Sequence, residues 1–254
     1  MHIRETRRAA REIKFVVQDS VRPGIVEWAR QHLGPDGHGA GIHADEYSTS
    51  TLYFETKEFD VYQRQGSYGR SKYRIRQYGH SDLVFLERKF RTDRLLAKRR
   101  TRVSGVDLLR LEKDSPDPTW EGFWFHRRIV LRRLRPLLQL SYDRIAREGT
   151  SSTGPVRLTI DANLTALPMP DRAFLPGIGM PFLQGFAVIE VKYRSSLPAM
   201  FRTLAENFGL QVQKISKFRA GLRALDYPLP RDPDEEVPGM LGAAAGDSAG
   251  HYSD

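Results

Sequence analysis

Residues 71–79 read SKYRIRQYG, in which charged and apolar side chains alternate. Arg74 and Arg76 share one parity, and Tyr73 and Ile75 share the other. Successive side chains of a β-strand point to opposite faces of the sheet. The stretch therefore predicts a strand with one cationic face and one mainly apolar face.

The same two-residue period recurs along most of the chain. Further strand-like segments cover residues 47–56, 82–91, 95–103, 137–148, 155–164 and 185–194. Helical patterns are fewer, and they cover residues 21–33, 119–134 and 198–209. Because the strands follow one another with short breaks, we predict an α+β fold that is mainly antiparallel β with peripheral helices.

The polar face of these strands is charged in one strand after another. Among the charged residues of these strands, Glu87 shares a face with Lys89, and Glu190 shares a face with Lys192. Two arrangements fit this pattern: an open sheet with a solvated charged face, or a closed barrel with a charged lumen. Close like charges repel, so the barrel needs a bound polyanion to relieve the repulsion. Arginine and lysine both suit phosphate chains.

The segment LLAKRRTRV at residues 95–103 leaves its register open, because Lys98, Arg99 and Arg100 are adjacent. A shift by one residue would exchange the two faces of the strand. The Lys-x-Arg spacing of Lys98 and Arg100 matches the neighbouring strands, so we place these two residues on the charged face.

Composition narrows the class of partner. The chain has 254 residues, with 40 Lys and Arg against 31 Asp and Glu and a formal net charge of +9. This excess favours an anionic partner, such as nucleic acid, an acidic membrane or a phosphorylated small molecule. Cysteine is absent, which excludes disulfides and thiolate sites and agrees with a reducing cytoplasm.

The two ends of the chain carry few structural signals. The amino-terminal residues do not read as a signal peptide, and no run of about 18 apolar residues predicts a membrane span. Residues 228–254 are rich in Pro, Gly, Ala and Asp. We predict one domain over residues 1–227 and a disordered tail over residues 228–254.

Nine segments together resemble the vacuolar transporter chaperone (VTC) domain, the polyphosphate polymerase branch of the triphosphate tunnel metalloenzymes, also called the CYTH-like superfamily. In chain order they are REIKFVV, STLYFET, YRIRQYG, FLERKF, AKRR, YDRIA, VRLTID, VIEVKY and KISKFRAGL. The resemblance implies a closed antiparallel β-barrel tunnel that binds a nucleoside triphosphate or polyphosphate together with a divalent metal, Mn²⁺ or Mg²⁺.

The resemblance also implies roles for individual residues. The implied phosphate-binding residues are Lys14, Arg74, Arg76, Lys89, Lys98, Arg100, Arg144, Arg157, Lys192 and Lys217. The implied catalytic residues are Arg74, Arg76, Lys89, Lys98, Arg100 and Glu190. The implied metal ligands are Glu190 and, as a second candidate, Glu87.

The implied activity is transfer of the γ-phosphoryl group of ATP to a polyphosphate chain. Two alternatives stay open: a triphosphatase, and a non-catalytic domain that binds polyphosphate or inositol phosphates. A nucleic-acid-binding barrel would interleave exposed aromatic residues with its basic residues, whereas we expect Tyr53, Phe54, Phe85 and Phe218 to lie in the core. We therefore expect ATP and polyphosphate as partners, no nucleic acid, and a cytoplasmic protein that does not itself span a membrane. A membrane-protein partner and a position at the membrane periphery stay open.

Overall fold

The structure is a computed structural model of the chain. It describes residues 11–68, 71–91, 96–169, 172–176 and 179–231. Most of the predicted tail lies outside the described residues. Within the described residues, no helix is both long and apolar enough to cross a membrane.

The strands account for most of the regular structure. They are β1 (Arg11–Gln18), β2 (Gly34–Pro35), β3 (Glu46–Glu55), β4 (Ser71–Tyr78), β5 (Leu83–Arg91), β6 (Leu96–Ser104), β7 (Arg135–Ser151), β8 (Gly154–Pro168), β9 (Met180–Pro181) and β10 (Phe186–Tyr193). The helices are α1 (Arg22–His32), α2 (Asp60–Gln63), α3 (Phe123–Leu131), α4 (Ala199–Asn207) and α5 (Lys217–Ala224), with a 3₁₀ helix at Gly105–Glu112. Every predicted strand is confirmed, and the predicted α+β class with a mainly antiparallel sheet is confirmed as well.

The predicted helix over residues 119–134 is shorter in the structure. It begins after Gly122, and it ends before Arg133, whose φ of 50° lies in the left-handed region. The structure adds β1 and α5, which the periodicity alone did not predict as a strand and a helix.

The ten strands of the described residues form one antiparallel sheet in the order β1-β10-β8-β7-β3-β4-β5-β6, with β2 on β7 and β9 on β8. One face carries the predicted site residues, and we call it the charged face. The opposite face is apolar and is covered by helices. Ile25 of α1 and Phe201 of α4 pack with Phe15 and Ile160, while Phe125 of α3 packs in a second core beside β4 and β5.

Helix α5 differs from the other helices because it packs on the charged face. Phe218 and Leu222 of α5 lie in the same core as Leu138 and Leu140 of β7. A β-carbon at Gly221 would lie 2.5 Å from Leu140 Cδ2, so a larger residue there would displace the Leu140 side chain, and glycine permits the close approach of α5 to β7. Helix α5 therefore covers one end of the charged face.

The sheet curls until side chains from distant strands meet. Six strand spacings of about 4.8 Å, roughly 29 Å, would separate β1 from β5 in a flat sheet. Nevertheless, Lys89 Nζ of β5 lies 3.2 Å from Glu12 Oε1 of β1. The charged face is therefore concave. Among the described residues β1 and β6 remain the two edges of the hydrogen-bonded path, so the predicted closed barrel is not confirmed.

Candidate functional site

The structure brings all of the predicted site residues onto the charged face. Cross-strand neighbours include Lys14 with Glu190, Lys192 with Arg157, Arg74 with Glu87, Glu87 with Arg100, and Lys89 with Lys98. Arg144 reaches the face from β7, and Lys217 reaches it from the first turn of α5. Side chains from seven strands and one helix thus meet on one concave surface.

The register of β6 is the one predicted from the Lys-x-Arg spacing. Lys98 and Arg100 both contact Glu87 on the charged face. The side chain of Arg99 lies on the other face, where its guanidinium carbon is 4.3 Å from the ring centroid of Trp124. Neighbouring arginines therefore lie on opposite faces of the same strand.

Glu87 is fully buried at the centre of one cationic cluster. Arg74 Nε donates a hydrogen bond to Glu87 Oε2 at 2.7 Å. Lys98 Nζ lies 2.6 Å from Oε1, and Arg100 Nε lies 2.9 Å from the same oxygen. Burial raises the pKa of Glu87, but the nearby cations outweigh burial and hold the pKa well below its usual range. Both carboxylate oxygens are thus engaged by cations.

Glu190 lies in a second cluster, at the end of the face that α5 covers. Lys217 Nζ donates a hydrogen bond to Glu190 Oε1 at 2.7 Å, and Lys14 Nζ lies 3.3 Å from that oxygen. Lys217 Nζ also lies 2.6 Å from Asp161 Oδ2, and Arg144 forms a bidentate pair with Asp161 at 2.6 and 2.7 Å. Among the described residues, no hydrogen bond reaches Glu190 Oε2.

The electrostatics of this second cluster keep its members charged. Burial raises the pKa of Glu190, but Lys14 and Lys217 hold it well below its usual range. Burial lowers the pKa of Lys217, but Asp161 and Glu190 outweigh burial and raise it. Each charge therefore stabilises its neighbours in the ionised state.

Glu12 is a residue of the site that the sequence reasoning missed. It contacts three lysines on the charged face: Lys89 at 3.2 Å, Lys14 at 3.5 Å and Lys192 at 3.7 Å. Burial raises its pKa, but the lysines outweigh burial and lower the pKa to about 2. A signal was present, because Glu12-x-Lys14 on β1 repeats the spacing of Glu190-x-Lys192 on β10.

The charged face holds more cations than carboxylates, and the pKa values of two of its lysines are lowered. Burial lowers the pKa of Lys192 to about 8, although Glu190 and Glu12 oppose that shift. Burial also lowers the pKa of Lys98 well below its usual range, and Arg100 adds to the shift. The side chains of Lys98 and Lys192 are 40% and 36% exposed, so a ligand can reach them. A bound polyanion would favour their charged forms.

The carboxylates do not form a metal cage by themselves. Within the described part of the chain, no three His, Asp or Glu side chains gather around a point that could hold a metal ion. A hard divalent cation here would share oxygens between one carboxylate and the phosphates of a ligand, as Mg²⁺ often does. Glu190 fits that role better than Glu87, because Arg74, Lys98 and Arg100 already engage both oxygens of Glu87.

The comparison with known families agrees with this geometry. The family model of the VTC domain matches residues 9–226. The chain belongs to the VTC domain family. The match runs from β1 to α5 and spans every predicted site residue, so the predicted family is confirmed.

Solved structures share the fold of this VTC domain at low sequence identity. The bh2851 protein from Bacillus halodurans, a proposed adenylate cyclase, is 17% identical with a TM-score of 0.50, over 84% of this chain and 95% of that chain. HpAC1 from Hippeastrum, a proposed adenylyl cyclase described as having a dominant triphosphatase activity, is 14% identical with a TM-score of 0.50, over 87% and 98% of the two chains. These likenesses show that the chain shares its fold with those two proteins. A comparison with curated proteins finds no match.

Proposed function

We propose that this VTC domain is a metal-dependent phosphotransferase that moves the γ-phosphoryl group of ATP to the end of a polyphosphate chain. The observation that carries the proposal is that several cations contact each of two buried carboxylates. Glu87 holds three cations and Glu190 holds two, all on one concave face. Phosphoryl transfer asks mainly for positioning and electrostatic stabilisation, which fixed cations supply.

The proposed phosphoryl transfer does not need a strong base on the protein. An oxygen of the terminal phosphate of the acceptor, which is already ionised, forms a bond to the γ-phosphorus of ATP. The bond from that phosphorus to the β–γ bridging oxygen breaks, and ADP leaves. In the proposal Arg74, Arg76 and Arg144 contact the equatorial and bridging oxygens, because guanidinium groups give bidentate contacts to phosphate. Lys98 and Lys192 neutralise the chain as mobile point charges.

The divalent metal that the family implies fits this face at Glu190. We propose Glu190 as its protein ligand, since Oε2 takes no hydrogen bond from the described residues and the side chain is 11% exposed. When bound, such a metal neutralises charge and polarises phosphoryl oxygens. For Glu87 we propose a different role, in which it orients Arg74, Lys98 and Arg100 from beneath the ligand.

Hydrolysis is the second candidate activity. If water replaces the polyphosphate acceptor, the same cations support a triphosphatase. The likeness in fold to HpAC1, with its described triphosphatase activity, supports this alternative. In both cases we propose that the curled sheet encloses the phosphate chain as a tunnel.

Product identity tests the proposal. The purified protein is incubated with ATP and Mn²⁺ or Mg²⁺, and long-chain polyphosphate, free phosphate and ADP are resolved. We expect polyphosphate and ADP in the presence of metal. Free phosphate without polymer would establish the triphosphatase instead. Tight binding of tripolyphosphate without turnover would leave only a binding domain.

A matched pair of double variants links the activity to the charged face. Arg74→Ala with Arg76→Ala removes two cations from the face, and we expect turnover to fall by more than about tenfold. Arg127→Ala with Arg128→Ala removes two exposed arginines of α3, outside the face, and turnover should persist. Equal losses in both pairs would contradict the proposed site.

A further inference from the structure

An aromatic cluster lies at the end of the charged face opposite α5. His38, in the loop between β2 and β3, stacks on Tyr78 of β4 with ring centroids 4.9 Å apart and an interplanar angle of 16°. Tyr47 of β3 and Phe85 of β5 meet Tyr78 edge-on, at 5.4 and 5.5 Å. We call these four residues the aromatic cluster.

The cluster does not serve the packing of either core. Tyr47, Tyr78 and Phe85 are half-buried and His38 is exposed. None of the four belongs to the two apolar cores of the described residues. Phe85 is thus an exception among the aromatic residues that the sequence assigned to the core, because Tyr53, Phe54 and Phe218 do lie in it.

The cluster is joined directly to the cations of the charged face. Arg100 Nη2 donates a hydrogen bond to Tyr78 Oη at 2.7 Å, and the guanidinium carbon of Arg100 lies 3.7 Å from the ring centroid of Phe85. Arg157 Nη2 donates a hydrogen bond to Tyr47 Oη at 3.1 Å. A ligand that contacts the rings therefore lies beside groups that bind phosphate in the proposed function.

The backbone sets the spacing between the rings and the cations. Tyr78, Arg76 and Arg74 occupy successive positions on the same face of β4, at intervals of about 7 Å. The loop that carries His38 is tied to the face, because Asp36 Oδ1 accepts a hydrogen bond from the His38 amide at 2.7 Å and Asp36 also pairs with Arg157. His38 thus presents an exposed ring from a fixed position.

We propose that the aromatic cluster is the nucleobase subsite of this domain, with the base of a nucleoside triphosphate stacked on His38. Stacking of this kind suits any base, because every base has a π-face. The inference rests on the proposed function, and it adds the orientation of the bound nucleotide along the charged face. With the base at the cluster, the phosphates run along Arg76 and Arg74, and the γ-phosphate points towards Glu190 and α5.

Binding of two ligands distinguishes the contribution of the base from that of the phosphates, because ATP carries a base and tripolyphosphate does not. Binding of ATP and of tripolyphosphate is measured by calorimetry on the wild type, His38→Ala and His38→Phe. The exposed position of His38 makes both variants compatible with folding. We expect His38→Ala to weaken ATP binding by about tenfold and to leave tripolyphosphate binding within about twofold of the wild type. His38→Phe keeps a flat ring and should restore most of the ATP affinity.

Each other outcome overturns the inference in a recognisable way. Equal weakening of both ligands in His38→Ala indicates a change in charge or folding, and no weakening of either excludes His38 as the platform. A wild type that binds tripolyphosphate but not ATP removes the subsite and leaves the phosphate site intact. A wild type that binds neither ligand overturns the proposed function itself.

Photolabelling locates the base independently. The nucleotide 8-azido-ATP is activated on the wild-type protein, and the labelled peptides are identified by mass spectrometry. Labels on peptides that contain His38, Tyr47, Tyr78 or Phe85, suppressed by excess ATP, are expected. Labels confined to α5 would reverse the proposed direction of the triphosphate.

Discussion

Glu87 and Glu190 have the same setting in the sequence, since each lies two residues before a lysine of a charged strand face. The structure gives them different surroundings. Both oxygens of Glu87 are held by three cations, and the side chain is fully buried. Glu190 contacts Lys14 and Lys217 through Oε1, and no ion pair among the described residues reaches Oε2. The same sequence pattern can therefore place one glutamate where it holds cations and another where it is a candidate metal ligand.

The largest expected effect on turnover is that of a substitution at Glu190. Glu190→Gln keeps the shape of the side chain but removes the charge that we propose for metal binding. We expect turnover of ATP to fall by about 10²- to 10³-fold, the range for loss of one transition-state charge contact. The assay is metal-dependent release of ADP.

Glu58→Gln is the matched control for that substitution, because Glu58 is exposed and lies outside the charged face. Its turnover should equal that of the wild type. If Glu190→Gln also retains full turnover, Glu190 is not the metal ligand, and the proposed contrast with Glu87 disappears.

The second effect is on stability at Glu87. Glu87→Gln leaves Arg74, Lys98 and Arg100 close together without their shared anion. Loss of one partner from a buried ion pair costs roughly 3 to 5 kcal/mol, and we expect a loss of that order in the free energy of unfolding. Denaturant unfolding in the absence of ligand measures it.

Tripolyphosphate should rescue Glu87→Gln. A ligand at about 100 times its dissociation constant stabilises the folded state by about 2.7 kcal/mol. Because the variant has a larger excess of cations, its gain in melting temperature on adding tripolyphosphate should exceed that of the wild type. A smaller gain would show that Glu87 takes part directly in ligand binding.

Glu55 extends the comparison to a buried carboxylate that forms no ion pair with the described residues. It accepts hydrogen bonds from the backbone amides of Thr56, Val61 and Tyr62, each at 2.8 Å. Burial outweighs these bonds and raises the pKa of Glu55 from 4.5 to about 7. The folded state therefore binds the proton more tightly than the unfolded state. The stability from this group is fully present below pH 4.5 and is lost as the pH rises through about 7.

We expect this loss to be on the order of 3 kcal/mol. It is measured as the free energy of unfolding at several pH values between 4 and 8 in the wild type and in Glu55→Gln. The variant is less stable throughout, since an amide accepts these hydrogen bonds less well, but its pH dependence over this window should be smaller. Parallel curves for the two proteins would contradict the raised pKa.

The smallest expected effect is a difference in tripolyphosphate binding between substitutions at two neighbouring arginines. Arg100→Ala removes a cation from the Glu87 cluster, and we expect tripolyphosphate binding to weaken by about tenfold. Arg99→Ala removes a side chain that stacks on Trp124 on the opposite face, and binding should stay within about twofold of the wild type. Equal effects from both substitutions would mean that general charge, rather than the face, controls binding.

The sequence was most informative where local geometry suffices. Strand alternation placed Lys98 and Arg100 on one face and Arg99 on the other, as observed. It was less informative about α5 and β1, whose positions depend on distant parts of the chain. Lys217 reaches Asp161 and Glu190 only because α5 packs on the charged face, where Gly221 allows its close approach to Leu140.

The local sequence specifies which side chains share a face, because the period of a β-strand is two residues. Which of these side chains contact each other depends on the tertiary structure. Glu12 and Lys89 are 77 residues apart and lie on strands six spacings apart in the sheet, yet they form an ion pair. The curl of the whole sheet produces that contact, and so the alternation within either strand does not predict it.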